Sequence, residues 1–292
     1  MHYFLRLVVC FCLIGVQISL AQQQLSTDSV LIEGHYRTFH FLKSPKPNAT
    51  LIFILHGSGG DGPGIRKGAG KLEEKQDQEN LLLVYPDGYK RYWNECRKTA
   101  NSAANLENIN ENAFFEEMIN YFDRKYLINP KQVFAVGTSG GGHMAYKLAL
   151  TMPEKLRAVT ALIASLPDTN NMDCIEKRVP VPVLIVNGTD DTTNPYEGGE
   201  VKTGNISLGL VRSTERTFKY WSELAGYTEP PMKELLPDTD PNDKKTIERY
   251  TYKRKGKPEV TLLKVVGGHH DYPNDVNVYL EALSFFKRQV SL

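Results

Sequence analysis

Cysteine is scarce in this chain. Four occur in 292 residues, and two of them, Cys10 and Cys12, lie in the apolar N-terminal stretch. No C-x-x-C pair and no H-E-x-x-H motif occurs, so the common zinc frameworks have no sequence support and no metal is expected. Net charge is also nearly absent, at +1 from 35 basic and 34 acidic residues. A neutral balance without long blocks of one sign argues against nucleic acid or an anionic membrane as partner. The chain lacks G-x-x-x-x-G-K-[ST], and the loop Gly57–Gly62, although it spells G-x-G-x-x-G, is not read as a dinucleotide cradle. Beyond residue 21 no run of 18 unbroken apolar residues occurs, so no spanning helix is expected there. There is no internal repeat. What remains, 41% hydrophobic and 24% charged, is ordinary globular composition.

Met1–Ala21 has one basic residue, Arg6, then an apolar run from Leu7 to Leu20 that ends in Ser19-Leu20-Ala21. This reads as a signal peptide with a small-x-small cleavage site. A membrane anchor is the alternative, against which the run is short. Cleavage leaves residues 22–292 as one catalytic domain, secreted or periplasmic, with no membrane attachment. It also leaves two cysteines, Cys96 and Cys174. An even count in an exported chain suggests a disulfide, with two buried thiols as the alternative. No pattern specifies an oligomeric state.

Along the mature chain, short apolar runs alternate with helical periodicity. Residues 29–43 are β-branched and aromatic, as for one or two edge strands. Continuous apolar runs at 50–55, 81–85, 133–136, 157–165 and 181–186 read as strands, several of them buried on both faces. Residues 246–254 and 259–266 read as a strand pair. Helical spacing covers 112–126, with Phe114, Phe115, Met118, Ile119 and Phe122, and recurs at 144–150, 211–225 and 275–289. Residues 226–245 are turn-rich and read as a surface excursion, as for a rim or lid. The alternation predicts an α/β fold with a mainly parallel central sheet and helices on both faces.

The chemistry starts at Gly137-Thr138-Ser139-Gly140-Gly141. This G-x-S-x-G follows an apolar strand and opens a helix, the context of a nucleophile elbow. Its glycines have a steric purpose, because side chains two residues either side of the serine would strike the adjoining strand and helix. A serine hydroxyl needs a base, and the base an orienting acid. In the chain order Ser, acid, His, the acid should follow a later strand, where Asp190-Asp191 stand after 181–186. The histidine should follow a further strand, where His269-His270 stand after 259–266. Two amides are needed for the oxyanion. Gly140, next to the nucleophile, supplies one. The loop His56-Gly57-Ser58-Gly59-Gly60 supplies the other, with the Ser58 amide first and Gly59 next. His56 itself reads as structural. Tyr92, Trp93, Tyr196, Phe218 and Trp221 could shape an aromatic pocket, although helical stripes of this kind are usually core.

These motifs resemble the secreted polyhydroxybutyrate-depolymerase and feruloyl-esterase-like branch of the α/β-hydrolases. The matching stretches are LIFILHGSGGDG (51–62), LVYPDG (83–88), VFAVGTSGGGHMAYKLA (133–149), VPVLIVNGTDDTTNPYEGG (181–199) and VVGGHHDYP (265–273). The resemblance implies an α/β-hydrolase fold. In that branch a G-T-x-D-x-x-x-P-Y-x-G-G segment carries the acid, which selects Asp191 over Asp190. A G-H-x-W-P-like segment carries the histidine, which selects His270 over His269, with Tyr272 standing where the branch has tryptophan. The resemblance also puts Trp93 and Asn94 near the acyl site.

The expected function is a secreted serine carboxylesterase with Ser139, Asp191 and His270 as its triad and no cofactor. Its substrate would be a feruloyl or acetyl ester linked to plant polysaccharide. The alternative is a short-chain polyhydroxybutyrate depolymerase. A peptidase, an acyltransferase and a noncatalytic binding protein are further alternatives.

Overall fold

The computed structural model describes residues 24–44, 46–203 and 206–290. The expected signal peptide, residues 1–21, lies outside the described residues. Twelve strands are described: β1 (Ser26–Ile32), β2 (His35–Leu42), β3 (Ala49–Leu55), β4 (Leu81–Pro86), β5 (Ile128–Thr138), β6 (Ala158–Leu162), β7 (Val183–Gly188), β8 (Gly199–Thr203), β9 (Ile206–Val211), β10 (Met232–Leu235), β11 (Thr246–Tyr252) and β12 (Val260–Val266). Between them run the short helices α1 (Gly62–Arg66), α2 (Gly70–Glu73), α3 (Gln76–Glu79) and α4 (Ala103–Leu106). The longer helices are α5 (Glu111–Tyr126), α6 (Gly140–Thr151), α7 (Thr214–Leu224) and α8 (Val278–Val290).

Ten strands form one sheet in the order β1-β2-β4-β3-β5-β6-β7-β12-β11-β10. The six inner strands, from β4 to β12, run parallel. Antiparallel strands finish both edges. The inner strands are the apolar runs of the sequence: every residue of β4, β6 and β7 is buried. Such strands need cover on both faces, and they have it. Phe114, Phe115, Met118 and Phe122 of α5 join α6, Phe218 and Trp221 against Leu51, Phe53, Val133 and Ile185. On the other face, Leu72 and the α8 residues Ala282, Phe285 and Phe286 cover Ile52, Ile54, Phe134 and Leu184. The Phe134 and Phe286 rings stack with centroids 4.6 Å apart.

Two features differ from the sequence reading. Residues 226–245 include a strand, β10, that pairs antiparallel with β11 at the sheet edge. All four β10 residues are exposed, so no hydrophobic alternation marked it. The segment then turns back on the loop that follows β12. The Thr239 and Asp240 amides donate to Asp275 Oδ1 at 2.6 and 3.0 Å. Lys245 pairs with Asp271 at 2.9 Å. The segment is therefore an edge strand and a brace rather than a free excursion. The hairpin β8–β9 was also missed, since it forms its own two-stranded sheet away from the main core.

Cys96 and Cys174 form a disulfide, with Cα atoms 5.1 Å apart and a separation of 78 residues. It ties the loop after β4 to the segment after β6, beside backbone bonds from Asp173 to Cys96 and from Lys98 to Asn171. Closing a loop of that length removes about 4 kcal/mol of chain entropy from the unfolded state. Replacing both cysteines with serine should therefore lower the unfolding free energy by roughly 2–4 kcal/mol. Urea titration of the variant beside the oxidised protein, with a reductant arm as control, measures this.

Candidate active site

The site sits where the parallel strands end. Leu55 of β3 lies opposite Gly137 of β5, Thr138 opposite Leu162 of β6, and Gly188 of β7 opposite Val265 of β12. With these ends in register, the segments after β3, β5, β7 and β12 converge. Open α/β sheets place their ligands at this carboxyl edge.

Ser139 occupies the turn from β5 into α6 with φ +53° and ψ −117°. A non-glycine residue in that region is strained, and the turn is held by backbone bonds on either side. The Ser139 amide donates to the Leu162 carbonyl at 2.8 Å, and its carbonyl accepts from the His143 amide at 3.0 Å. The flanking glycines are required by close approach. A Cβ on Gly137 would stand 1.9 Å from the Gly141 carbonyl oxygen, and one on Gly141 would stand 2.2 Å from the Leu55 carbonyl oxygen.

His270 Nε2 is 3.0 Å from Ser139 Oγ. Its Nδ1 is 2.7 Å from Asp191 Oδ2. A carboxylate only accepts, so Nδ1 donates to Asp191 and Nε2 is left to accept the serine proton. Asp191 is 5% exposed. Its other oxygen accepts from the Thr193 and Asn194 amides, both at 2.8 Å, which fixes the carboxylate plane. The neighbours of these residues face elsewhere. The Asp190 side chain accepts from Thr189 Oγ1 at 2.7 Å, and His269 is exposed, its Nδ1 3.2 Å from the Asp190 carbonyl.

Ser58 and Gly140 are adjacent: a Cβ on Gly140 would stand 2.5 Å from Ser58 Oγ and 2.9 Å from Ser58 N. Gly140 is the first residue of α6, where the amide has no helical partner one turn earlier. In the loop after β3, the Gly59 amide is taken by the Arg91 carbonyl at 2.9 Å and the Gly60 amide by the Gly57 carbonyl at 2.9 Å. That leaves the Ser58 amide as the loop donor beside Gly140. The loop is clamped from outside by Arg91, whose Nε donates to the Gly59 carbonyl at 2.6 Å. His56 holds it from inside. Its Nδ1 donates to the Gly57 carbonyl at 2.8 Å, and its Nε2 accepts from the Gly88 amide at 2.8 Å. Burial keeps this imidazole below its ordinary value, which suits a ring that must both donate and accept.

Trp93 and Asn94 occupy other roles than the resemblance implied. Trp93 is buried, with its indole N–H on the His56 carbonyl at 2.9 Å and its ring 4.8 Å from the His56 ring. It supports the loop from behind. Asn94 is also buried and donates to the Ile109 carbonyl at 2.9 Å and Asn108 Oδ1 at 3.2 Å. It fastens the loop before α5, and no free amide remains to meet a substrate. Of the other aromatics, Tyr196, Phe218 and Trp221 are core. Tyr92 lies beside the loop after β3, its hydroxyl 3.9 Å from where a Cβ on Gly59 would lie.

Sequence reading passed over a polar layer beneath the triad. Asn187, the one polar side chain of β7, is buried, accepts from the Ala164 amide at 3.0 Å and donates to Thr214 Oγ1 at 2.8 Å. An asparagine closing an apolar strand was the available signal. His143 is one helical turn after Ser139 and 3% exposed. Burial first, and the nearby Arg97 guanidinium second, hold it well below its ordinary value. Arg97 is itself buried in a pair with Glu95 at 2.6 Å.

Two measurements follow. Gly140→Ala should push Ser58 away and lower kcat about 100-fold or more with the fold retained, as for loss of an oxyanion donor. Steady-state hydrolysis of p-nitrophenyl acetate beside thermal unfolding reads both. His56 and His143 have folded-state values lowered from the ordinary 6.5. Each therefore binds its proton more readily once unfolded. Stability is full above that value and falls as pH drops below it toward the lowered values. Urea titrations from about pH 7.5 to 5.5 should show the decline, and His56→Gln should flatten it.

Residues 40–219 match the phospholipase/carboxylesterase family, a span that holds Ser139 and Asp191 and ends before His270. Among curated proteins, NocK of Nocardia uniformis subsp. tsuyamanensis, provisionally assigned as an esterase, is 23% identical over 87% of this chain and 76% of its own length. Feruloyl esterase B of Neurospora crassa is 31% identical over 38% of this chain, and the match spans 37% of that enzyme. The solved acetyl xylan esterase from Aspergillus awamori shares the fold, with a TM-score of 0.62 at 17% identity over 90% of this chain and 99% of that one. The chain belongs to the phospholipase/carboxylesterase family and is a serine hydrolase of carboxylic esters on the α/β-hydrolase fold.

Proposed function

We propose that the chain is a secreted carboxylesterase in which Ser139, His270 and Asp191 act as nucleophile, base and orienting acid. The reading is carried by one observation, the hydrogen-bonded chain Asp191–His270–Ser139 at 2.7 and 3.0 Å ending on a strained serine. Ser139 Oγ attacks the ester carbonyl carbon while His270 Nε2 takes its proton. The negative charge that forms on the carbonyl oxygen is met by the amides of Ser58 and Gly140. Collapse of the tetrahedral intermediate breaks the bond to the alcohol oxygen, which leaves with the proton from His270. Water then loses a proton to His270 and attacks the acyl carbon, and His270 returns that proton to Ser139 Oγ as the bond to the serine breaks and the acid leaves.

For substrate we infer a feruloyl or acetyl ester carried on plant polysaccharide. The support is that relatives and structural neighbours carry the names feruloyl esterase and acetyl xylan esterase. Secretion is supported by the sequence of residues 1–21 together with the Cys96–Cys174 disulfide. Among the described residues no helix is long and apolar enough to cross a membrane.

The test compares the full chain with Ser139→Ala, His270→Ala and Asp191→Asn on p-nitrophenyl acetate, methyl ferulate, acetylated xylan and a short 3-hydroxybutyrate oligomer. The serine and histidine variants should lose about 10⁴-fold or more in kcat, and the aspartate variant somewhat less. Unchanged turnover in Ser139→Ala would overturn the nucleophile. Preference for the hydroxybutyrate oligomer would overturn the substrate class while leaving the triad standing.

A further inference from the structure

Three hydroxyls meet beside the nucleophile. Thr138 immediately precedes Ser139, and Tyr272 stands two residues after His270. Thr138 Oγ1 is hydrogen-bonded to the Tyr272 hydroxyl. The Tyr279 hydroxyl, on the first turn of α8, is 3.4 Å from Thr138 Oγ1 and 3.4 Å from the Tyr272 hydroxyl. The two phenol rings meet edge to face with centroids 6.0 Å apart. Tyr279 is 2% exposed, and Tyr272 packs against the same apolar cluster as α8. Burial raises both phenols above their ordinary value, so the group stays neutral wherever the enzyme works. Each hydroxyl can donate and accept, so the three can satisfy one another.

The position of this group matters because the triad joins two segments that have no covalent proximity. Ser139 is held by β5 and α6. His270 rides on the loop between β12 and α8, tied at its start by the Gly267 amide to Thr189 Oγ1 at 2.9 Å and at Asp271 by Lys245 at 2.9 Å. Neither of those ties reaches the elbow. The Thr138–Tyr272 bond does: it links the residue before the nucleophile to the loop that carries the base. A hydroxyl is what lets this chain close the ring.

We propose that Tyr272 is a positioning residue whose hydroxyl, through Thr138, sets the separation of His270 from Ser139. This rests on the triad assignment above. A shift of a fraction of an ångström between nucleophile and base lowers the rate of proton transfer without touching the groups that bind substrate.

The experiment uses the full chain and the variants Tyr272→Phe, Thr138→Val, Thr138→Ser and the Tyr272→Phe/Thr138→Val pair, with Ser139→Ala alongside. Turnover of p-nitrophenyl acetate is expressed per serine titrated by a fluorophosphonate, so unfolded molecules are not counted. Tyr272→Phe and Thr138→Val should each lower kcat about tenfold with KM held within about twofold. The pair should be no slower than either single variant, since both remove the same bond. Thr138→Ser, which keeps the hydroxyl, should recover most of the rate. The proposal is overturned if Tyr272→Phe keeps the parent kcat, if KM rises instead, or if the two losses multiply. An active Ser139→Ala would sink the triad reading beneath it. An inactive Ser139→Ala beside a fully active Tyr272→Phe would sink the positioning role alone.

Discussion

Close approach between α6 and the ends of β3 and β5 is the constraint on which the catalytic edge depends. The helix starts so near the sheet that a single Cβ on Gly137 or Gly141 would overlap a backbone carbonyl. That proximity forces the chain through a positive-φ turn at Ser139, which lifts the hydroxyl out of the sheet. It also brings the first amide of α6 alongside Ser58. The positive-φ turn at Ser139 and the approach of Ser58 to Gly140 therefore share one steric origin. The strain at the serine persists because the strand register and the helix bonds over-determine the turn.

Around that point the protein holds its groups by directional hydrogen bonds. His56 donates to one loop and accepts from another, and a protonated ring could not do both. Asn187 does the same between β6 and α7. Asp191 has its second oxygen taken by two backbone amides, so its one remaining direction is toward His270. The result is a site whose groups are fixed before substrate arrives, as electrostatic preorganisation requires.

The inner sheet was legible because its strands are buried on both faces and so appear as unbroken apolar runs, as LLLVY and VLIV show. Helices α5 and α7 were legible by their apolar stripes. Elements without a buried face were not. The exposed β10 carries no alternation, and α1 to α4 are four or five residues long, too short for a period to register. Trp93 and Asn94 were expected beside substrate, yet both have their polar groups occupied by backbone and side-chain partners of the scaffold. A pattern shared with a branch marks a residue as constrained without saying by what.

The sequence alone determined the α/β architecture, the elbow at Ser139 and the order serine, acid, histidine, because each is written in local periodicity or in glycines that one turn requires. It left the pairs Asp190-Asp191 and His269-His270 open on residue type, since identical neighbours differ only in where they point. Where each of them points is set by the tertiary structure. The turn after β7 buries Asp191 under two amides and leaves Asp190 to its own threonine. The loop after β12 turns His270 toward Ser139 and His269 to solvent. Direction of a side chain depends on the backbone path between elements far apart in sequence, and packing against β5, β7 and α8 is what sets that path.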